Sequence, residues 1–194
     1  MTESKGAITV NRRKDHILTE MLLIRYRRGD HSALDELVKL WEAKLFYYIM
    51  RLVSSEEDAW DGLQETWLAL TKNIGKLRES RSLVLWLYKT ARHKAMDRLR
   101  ERYSEQTVPM EYEDLSAVED PKETFAFEDA ELVHNALAQL SPHQREVLTL
   151  YFLEDLSIDE ISQVLSVAPG TIKSRLHYAK KAMRTILEGE EILQ

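Results

Sequence analysis

The sequence predicts an all-α protein built from two small helical domains that an acidic, flexible linker joins. Apolar residues recur at three- and four-residue spacing through residues 17–103 and again through residues 128–188, which is the spacing of amphipathic helices. No stretch alternates convincingly between apolar and polar residues, so we expect almost no β-strand. Residues 104–127 contain two prolines, many acids and no apolar period, a composition typical of unstructured linkers.

The composition excludes several classes of protein. The chain has 194 residues, a net charge of −6 and no cysteine, so it has neither a disulfide framework nor a thiolate metal site. The apolar runs are too short to span a bilayer and no signal peptide is recognisable, so we expect a cytoplasmic protein without direct membrane insertion. The six histidines are dispersed and no glycine-rich phosphate loop is present, which argues against an enzyme, a bound metal and a cofactor.

The N-terminal half is predicted to hold four helices after a tail. Residues 1–16 lack apolar periodicity and are expected to form a mobile tail. Ser55 with the acids that follow it is a typical helix start, and Gly29 is a typical helix stop. The helices are expected at about residues 17–28, 32–52, 55–75 and 83–103. A basic loop, including Arg78 to Ser82, lies before the fourth helix.

The C-terminal half is predicted to end in a helix-turn-helix. A helix over residues 128–140 and another from Ser141-Pro142 come first. Ser157 and Glu160 then form a capping box, Ser166 to Ala168 make a corner, and Pro169 suits the first position of a new helix. On that helix Ser174, His177, Tyr178 and Lys181 lie opposite the apolar side, and Lys180 lies on a basic flank that is expected to be solvated. A second helix of this kind enters a DNA major groove; an ordinary hairpin with a solvated basic face is the alternative. Residues 189–194 are expected to form a tail.

Charge is strongly segregated along the chain. Residues 71–103 contain ten Lys/Arg and three Asp/Glu, and residues 169–187 contain five Lys/Arg and no acid. Residues 104–132 contain one base and ten acids. Two separate basic blocks predict two surfaces that contact phosphates.

Three motifs, taken in order, resemble those of one protein family. They are AWDGLQETW from Ala59, WLYKTARH from Trp86 with DRLR from Asp97, and GTIKSRL from Gly170. The chain resembles the bacterial RNA polymerase sigma factors of the extracytoplasmic-function (ECF) type, group IV of the sigma-70 family, over about Met21 to Leu187. The resemblance implies sigma domain two over residues 17–103 and sigma domain four over residues 128–188.

The resemblance also implies roles for individual residues. The core-polymerase docking surface would comprise Asp58, Asp61, Gln64, Glu65 and Trp67. The downstream promoter element would contact Arg78, Ser80, Arg81, Ser82, Trp86, Lys89, Arg92, His93 and Arg98. The helix-turn-helix, Ser157 to Lys180, would bind the upstream element. The contacting residues would be Thr171, Lys173, Ser174, Arg175, His177, Tyr178 and Lys181. His93 and Tyr178 stand where relatives commonly have Asn and Arg, so the promoter sequence cannot be predicted.

The function implied is promoter-specific initiation without catalysis. The expected partners are the β′ clamp and β flap of core RNA polymerase, promoter DNA that the protein helps to melt, and an anti-sigma factor, often a membrane protein. A stand-alone helix-turn-helix regulator is the alternative, but a sensor domain has no need of the basic block at 71–103. His93 and Asp97 are spaced as a metal-binding pair, yet no second cluster completes such a site.

Overall fold

The computed structural model describes residues 3–53, 55–77, 79–102 and 130–191, in which every regular element is a helix. The chain divides into two compact units, Met1–Val108 and Pro109–Gln194. The predicted linker, residues 104–127, lies outside the described residues. No helix in the described part of the chain is long and apolar enough to cross a membrane. The predicted all-α fold class is confirmed.

The first unit has four α-helices among its described residues. They are α1 (Glu3–Arg27), α2 (Ser32–Leu52), α3 (Glu56–Asn73, continued by a 3-10 turn over Ile74–Lys76) and α4 (Ser80–Arg102). Gly29 ends α1 with a φ of +94°, which only glycine adopts at little cost. Ser55 begins α3 by accepting a hydrogen bond from the backbone N–H of Asp58 at 3.1 Å, as predicted for an N-cap.

A small aromatic cluster fixes the core of the first unit. The ring of Tyr88 on α4 meets Trp41 and Tyr48 of α2 edge-on, with centroids 6.4 and 5.4 Å apart. The indole N–H of Trp41 donates to the hydroxyl of Thr19 at 3.0 Å, and that hydroxyl donates to the carbonyl of Asp15 at 2.6 Å. One buried chain of contacts therefore joins α1, α2 and α4.

The described part of the second unit packs around its last helix. Its helices are α5 (Ala130–Gln139), α6 (Pro142–Leu148), α7 (Ile158–Leu165) and α8 (Pro169–Glu191), with a π-helical stretch over Thr149–Leu153 after α6. The helices α5, α6 and α7 all pack against α8. The guanidinium of Arg145 donates to the carbonyls of Leu137, Ala138 and Leu140 at 2.9–3.1 Å, which satisfies the C-terminal end of α5.

Three predicted boundaries were wrong. The tail predicted over residues 1–16 is helical from Glu3, and Asp15 is buried and forms an ion pair with Lys44 of α2. A tertiary contact of this kind extends a helix where apolar periodicity is absent. The tail predicted from residue 189 continues α8 to Glu191. Helix α4 begins at Ser80, so Ser80 and its two successors lie in a first helical turn and not in the predicted loop.

Candidate nucleic-acid and protein interfaces

Asp58, predicted to belong to an exposed acidic surface, is buried at the start of α3. Its carboxylate accepts a hydrogen bond from the hydroxyl of Ser55 at 2.7 Å, while that hydroxyl oxygen accepts from the Asp58 backbone N–H. An acid in the first turn is also favoured by the helix dipole. The prediction of an exposed Asp58 was therefore wrong: its carboxylate stabilises the helix start.

The other two acids of the predicted docking surface, Asp61 and Glu65, are paired within the chain. Glu65 accepts from Lys94 at 3.0 Å and from Arg98 at 2.5 Å, and Asp61 lies 3.6 Å from the same guanidinium. The hydrogen bond from Lys94, aided by both positive charges, holds the pKa of Glu65 below its usual value against the opposing effect of partial burial. These carboxylates therefore join α3 to α4, and their charge is compensated before any partner arrives.

Arg98 lies on the α3-facing side of α4. It follows Lys89 by nine residues, which is about two and a half helical turns and places the two on opposite sides of the helix. Its guanidinium contacts Glu65, Asp61 and Glu101. Arg98, expected from the resemblance to contact the downstream element, is paired with these acids on the side of α4 opposite Lys89, and its contact with DNA stays a prediction.

The exposed side of α3 is an apolar ridge, which we define as Trp60, Gln64 and Leu68. The three residues follow at four-residue intervals, so they lie in one row along the helix, and all three are exposed. The ring of Trp60 packs on Phe46 of α2 with centroids 4.3 Å apart. Trp67, at the edge of this row, is half-buried.

Sequence reasoning included Gln64 and missed the other two members of the ridge. The signal was present for Leu68, which lies on the side of the helix opposite its buried Ala59, Leu63 and Leu70, whereas Trp60 lies about a quarter of a turn from them.

Helix α4 presents a second row, the α4 ridge, defined by Ser82, Trp86, Lys89 and His93. These residues recur at three- and four-residue spacing; Ser82, Lys89 and His93 are exposed and Trp86 is half-buried. The imidazole of His93 lies 3.3 Å from the carboxylate of Asp97 one turn later. The structure thus brings together in one row four of the nine residues predicted to contact the downstream element.

The remaining predicted residues of this surface lie near the start of α4 or beside the ridge. Arg81 is exposed, whereas Ser80 and Arg92 are half-buried. Arg78 lies outside the described residues. Within the part of the chain that the structure describes, no three His, Cys, Asp or Glu side chains form a group that would hold a metal ion.

The helix-turn-helix forms as predicted. Ser157 and Glu160 make both hydrogen bonds of the capping box: the Ser157 oxygen accepts from the Glu160 backbone N–H at 3.3 Å, and the Glu160 carboxylate accepts from the Ser157 N–H at 2.8 Å. Ser166 ends α7 in the left-handed region, with φ at 56°. The hydroxyl of Ser162 donates to the carbonyl of Val167 at 2.7 Å and fixes the corner before Pro169.

The outer face of α8 presents Lys173, Tyr178 and Lys181, all of them exposed. Thr171, Arg175 and His177 are half-buried beside them. The rings of His177 and Tyr178 meet edge-on with centroids 5.4 Å apart.

Two polar residues of α8 are buried, contrary to the sequence prediction. Ser174 is 1% exposed and its hydroxyl donates to the carbonyl of Gly170 at 3.2 Å, so the prediction that it faces DNA was wrong. Lys180, expected on a solvated basic flank, is buried with its ammonium 5.1 and 5.9 Å from the ring centroids of Tyr151 and Phe152. Because three helices pack against α8, more of its circumference is covered than its apolar stripe predicts.

Comparison with known proteins agrees with this arrangement. Residues 37–105 match the family model of sigma-70 region 2, and residues 130–183 match that of sigma-70, region 4. SigM, an ECF RNA polymerase sigma factor of Mycobacterium tuberculosis, is 32% identical over 167 residues, which cover 86% of this chain and 83% of SigM. SigW, an ECF sigma factor of Bacillus subtilis, is 24% identical over 81% of this chain and 90% of SigW.

Two solved structures share the fold. The sigma factor RpoE of Bartonella quintana, in complex with the anti-sigma factor NepR, matches with a TM-score of 0.62 and 23% identity over 79% of this chain and 96% of that chain. CnrH, in complex with the cytosolic domain of CnrY, matches with a TM-score of 0.61 and 18% identity over 89% of this chain and 98% of that chain.

The matches to regions 2 and 4 define a protein of the sigma-70 class. The chain is also similar to the ECF sigma factor SigM over most of both chains. It therefore belongs to the ECF family of RNA polymerase sigma factors. The family resemblance inferred from the three motifs is confirmed. The protein is thus a transcription initiation factor, of a family whose members are not enzymes.

Proposed function

We propose that this sigma factor docks on core RNA polymerase through the apolar ridge of α3 and contacts promoter DNA through the α4 ridge and the outer face of α8. The observation that carries this assignment is the distribution of charge. Asp61 and Glu65 are compensated by Lys94 and Arg98, so α3 presents mainly Trp60, Gln64 and Leu68 outward. A desolvated aromatic and aliphatic patch is the usual anchor of a protein interface.

The β′ clamp is the polymerase element that we assign to the α3 ridge, and the β flap is assigned to the second unit. Gln64 lies between two large apolar side chains, and its amide can hydrogen-bond across the interface without bringing a charge into it. Asp61, at the edge of the ridge, is half-exposed and can pair with a basic clamp residue at the rim. Rim charges of this kind raise the association rate more than the affinity.

The α4 ridge suits the capture of a single strand during melting. Lys89 supplies a cation for the phosphate backbone, and Trp86 and His93 supply flat rings on which bases stack. The first turn of α4 adds Arg81 and the N-terminal end of the helix, where the helix dipole favours a phosphate. We assign this surface to the downstream promoter element.

The outer face of α8 suits a major groove. Lys173 and Lys181 are exposed eight residues apart, which places them about 12 Å apart along the helix, with Tyr178 between them. Lysines position the helix through phosphates, whereas Tyr178 contacts base edges. We assign this surface to the upstream promoter element.

Regulation by an anti-sigma factor is the remaining part of the proposal. RpoE and CnrH, the two structural neighbours, were each solved with a protein partner, which for RpoE is an anti-sigma factor. We infer that this chain likewise binds an anti-sigma factor, often a membrane protein in this family. We also infer that it acts in the cytoplasm, where the polymerase is, and that it has no catalytic activity of its own.

Run-off transcription tests the proposed function. Fragmented genomic DNA of the source bacterium is transcribed by core polymerase with and without the protein, and the transcripts are sequenced. We expect a small set of discrete start sites that appear only with the protein. Absence of protein-dependent start sites, while the protein still binds core polymerase, would contradict the proposal.

Surface variants test the docking assignment. Gln64→Arg places a cation in the ridge and should abolish binding to core polymerase, because the proposed clamp partner is basic. Ala43→Arg places the same cation at an exposed position of α2 in the first unit, outside the α3 ridge, and should bind core polymerase as the native chain does. Equal binding of both variants to core polymerase would show that the α3 ridge is not part of the polymerase interface.

A further inference from the structure

Helix α1 carries an exposed apolar stripe that neither the polymerase nor the DNA surface uses. The stripe, defined as Ile17, Leu18, Met21 and Ile24, has side chains between 42% and 59% exposed. Its members recur at helical spacing and therefore form one continuous face. Four large apolar side chains together on one exposed helix face mark an interaction surface more often than scattered ones do.

The stripe faces away from the body of the first unit. Helix α1 packs on α2 and α4 through Thr19, Leu22 and Leu23, all of which are buried. The exposed residues occupy the opposite side of the same helix. The stripe is therefore not the edge of the core but a separate surface with its own row of side chains.

A cation stands at each end of the stripe. Lys14 precedes it and Arg28 follows it; both are exposed and share its face of the helix. The backbone N–H of Arg28 still donates to the carbonyl of Ile24 at 3.1 Å, so helical spacing continues to that residue. The two cations are fourteen residues apart, which is about 21 Å along a helix.

The carboxylates of α1 nearest the stripe lie away from its two ends. Asp15 points into the unit, where it is buried and pairs with Lys44. Glu20 is exposed and lies at the edge of the stripe, three residues after Ile17 and four before Ile24, midway between the two cations and not at either end. The stripe consequently has an apolar centre and two positive ends.

We propose that this stripe docks an amphipathic helix of a second protein, one that carries an apolar ridge with a carboxylate near each end. The apolar centre would pack against the ridge by helix-in-groove or coiled-coil contact. The two carboxylates would pair with Lys14 and Arg28 and fix the register. This surface is separate from those of the proposed function, so it can be occupied while the α3 ridge is free.

Self-association fits the surface less well. In an antiparallel pair of stripes centred on Met21, Lys14 of each copy would meet Arg28 of the other. In a parallel pair, each cation would meet its own copy. Both arrangements place like charges together, which opposes association.

Two synthetic helical peptides test the proposal with the full-length protein. Both have leucine at the spacing of the stripe; one has glutamate at its two ends and the other has lysine. Fluorescence anisotropy should show that the glutamate-ended peptide binds at least about tenfold more tightly. Met21→Glu should abolish binding, whereas Leu153→Glu, at an exposed leucine of the second unit, should not.

Charge reversal tests whether Lys14 and Arg28, the cations at the two ends of the stripe, pair with the peptide. The double variant Lys14→Glu, Arg28→Glu should prefer the lysine-ended peptide. Equal binding of both peptides, or binding that Met21→Glu leaves unchanged, would overturn the proposal. Sedimentation that shows a dimer broken by Met21→Glu would assign the stripe to a second copy. Binding to phosphatidylglycerol vesicles without peptide binding would assign it to a membrane surface; either result overturns the proposal as well.

Discussion

Truncation of Trp60 should weaken binding to core polymerase by nearly two orders of magnitude. A tryptophan side chain buries about 250 Å² when fully enclosed, and 39% of Trp60 is exposed, so docking would bury about 100 Å² of it. At about 25 cal/mol per Å² this is about 2.5 kcal/mol, or about 60-fold in Kd. The variant Trp60→Ala also loses its ring contact with Phe46, which costs about 1 kcal/mol of folding stability but leaves α3 in place.

The assay is the titration of labelled full-length protein with core polymerase, in the presence of enough salt to screen charges at the rim. Trp86→Ala is the matched control, because it removes the same side chain from the α4 ridge and should leave polymerase binding unchanged. Circular dichroism confirms that both variants are folded. Binding by Trp60→Ala within about threefold of the native Kd would refute the assignment, because docking would then not bury the exposed part of the Trp60 side chain.

Three further predictions concern pH, folding and DNA. Because the pKa of Glu65 is lowered on folding, its pairing with Lys94 stabilises the first unit above the unfolded pKa, and this stabilisation is lost as pH falls through the folded pKa. Glu65→Gln should therefore lower the thermal unfolding midpoint at neutral pH, and the difference from the native chain should shrink below about pH 4. Tryptophan fluorescence follows the unfolding. Ser157→Ala removes one capping bond and should destabilise the second unit by about 1 kcal/mol; circular dichroism is the probe, because all four tryptophans lie in the first unit. Tyr178→Ala should reduce run-off transcription about tenfold or more with unchanged polymerase binding; full activity would exclude Tyr178 from recognition.

The sequence predicted the elements well wherever a local signal controls the backbone. Ser55, the capping box at Ser157 and Glu160, and Gly29 each set a helix end within a few residues, and each does so in the structure. The helix-turn-helix was predictable because its cap, its corner and its apolar spacing are all contained in one short stretch. The order of the helices therefore followed from local chemistry, whereas the family followed from the resemblance of three motifs.

Burial of polar groups was not predictable, because it depends on which helices come together. Asp58 and Ser174 were expected at the surface and are buried. Lys180 was expected on a solvated flank, yet its ammonium lies near two aromatic rings. Periodicity assigns one buried stripe to each helix, but α8 contacts three other helices and buries a wider arc. A helical wheel drawn for one element cannot show that arc.

The α3–α4 ion pairs also determine which variants can test docking. Asp61→Arg or Glu65→Arg would lose polymerase binding if those acids touched the clamp. Either variant would also lose binding if the change only separated α3 from α4. Each new arginine would face Arg98, and the arginine at position 65 would also face Lys94. Loss of binding by these variants therefore does not distinguish a direct contact with the polymerase from disrupted packing of α3 on α4. Gln64 and Trp60 are exposed and neither belongs to the ion pairs that join α3 to α4, so changes on this row separate the docking surface from the scaffold that holds it.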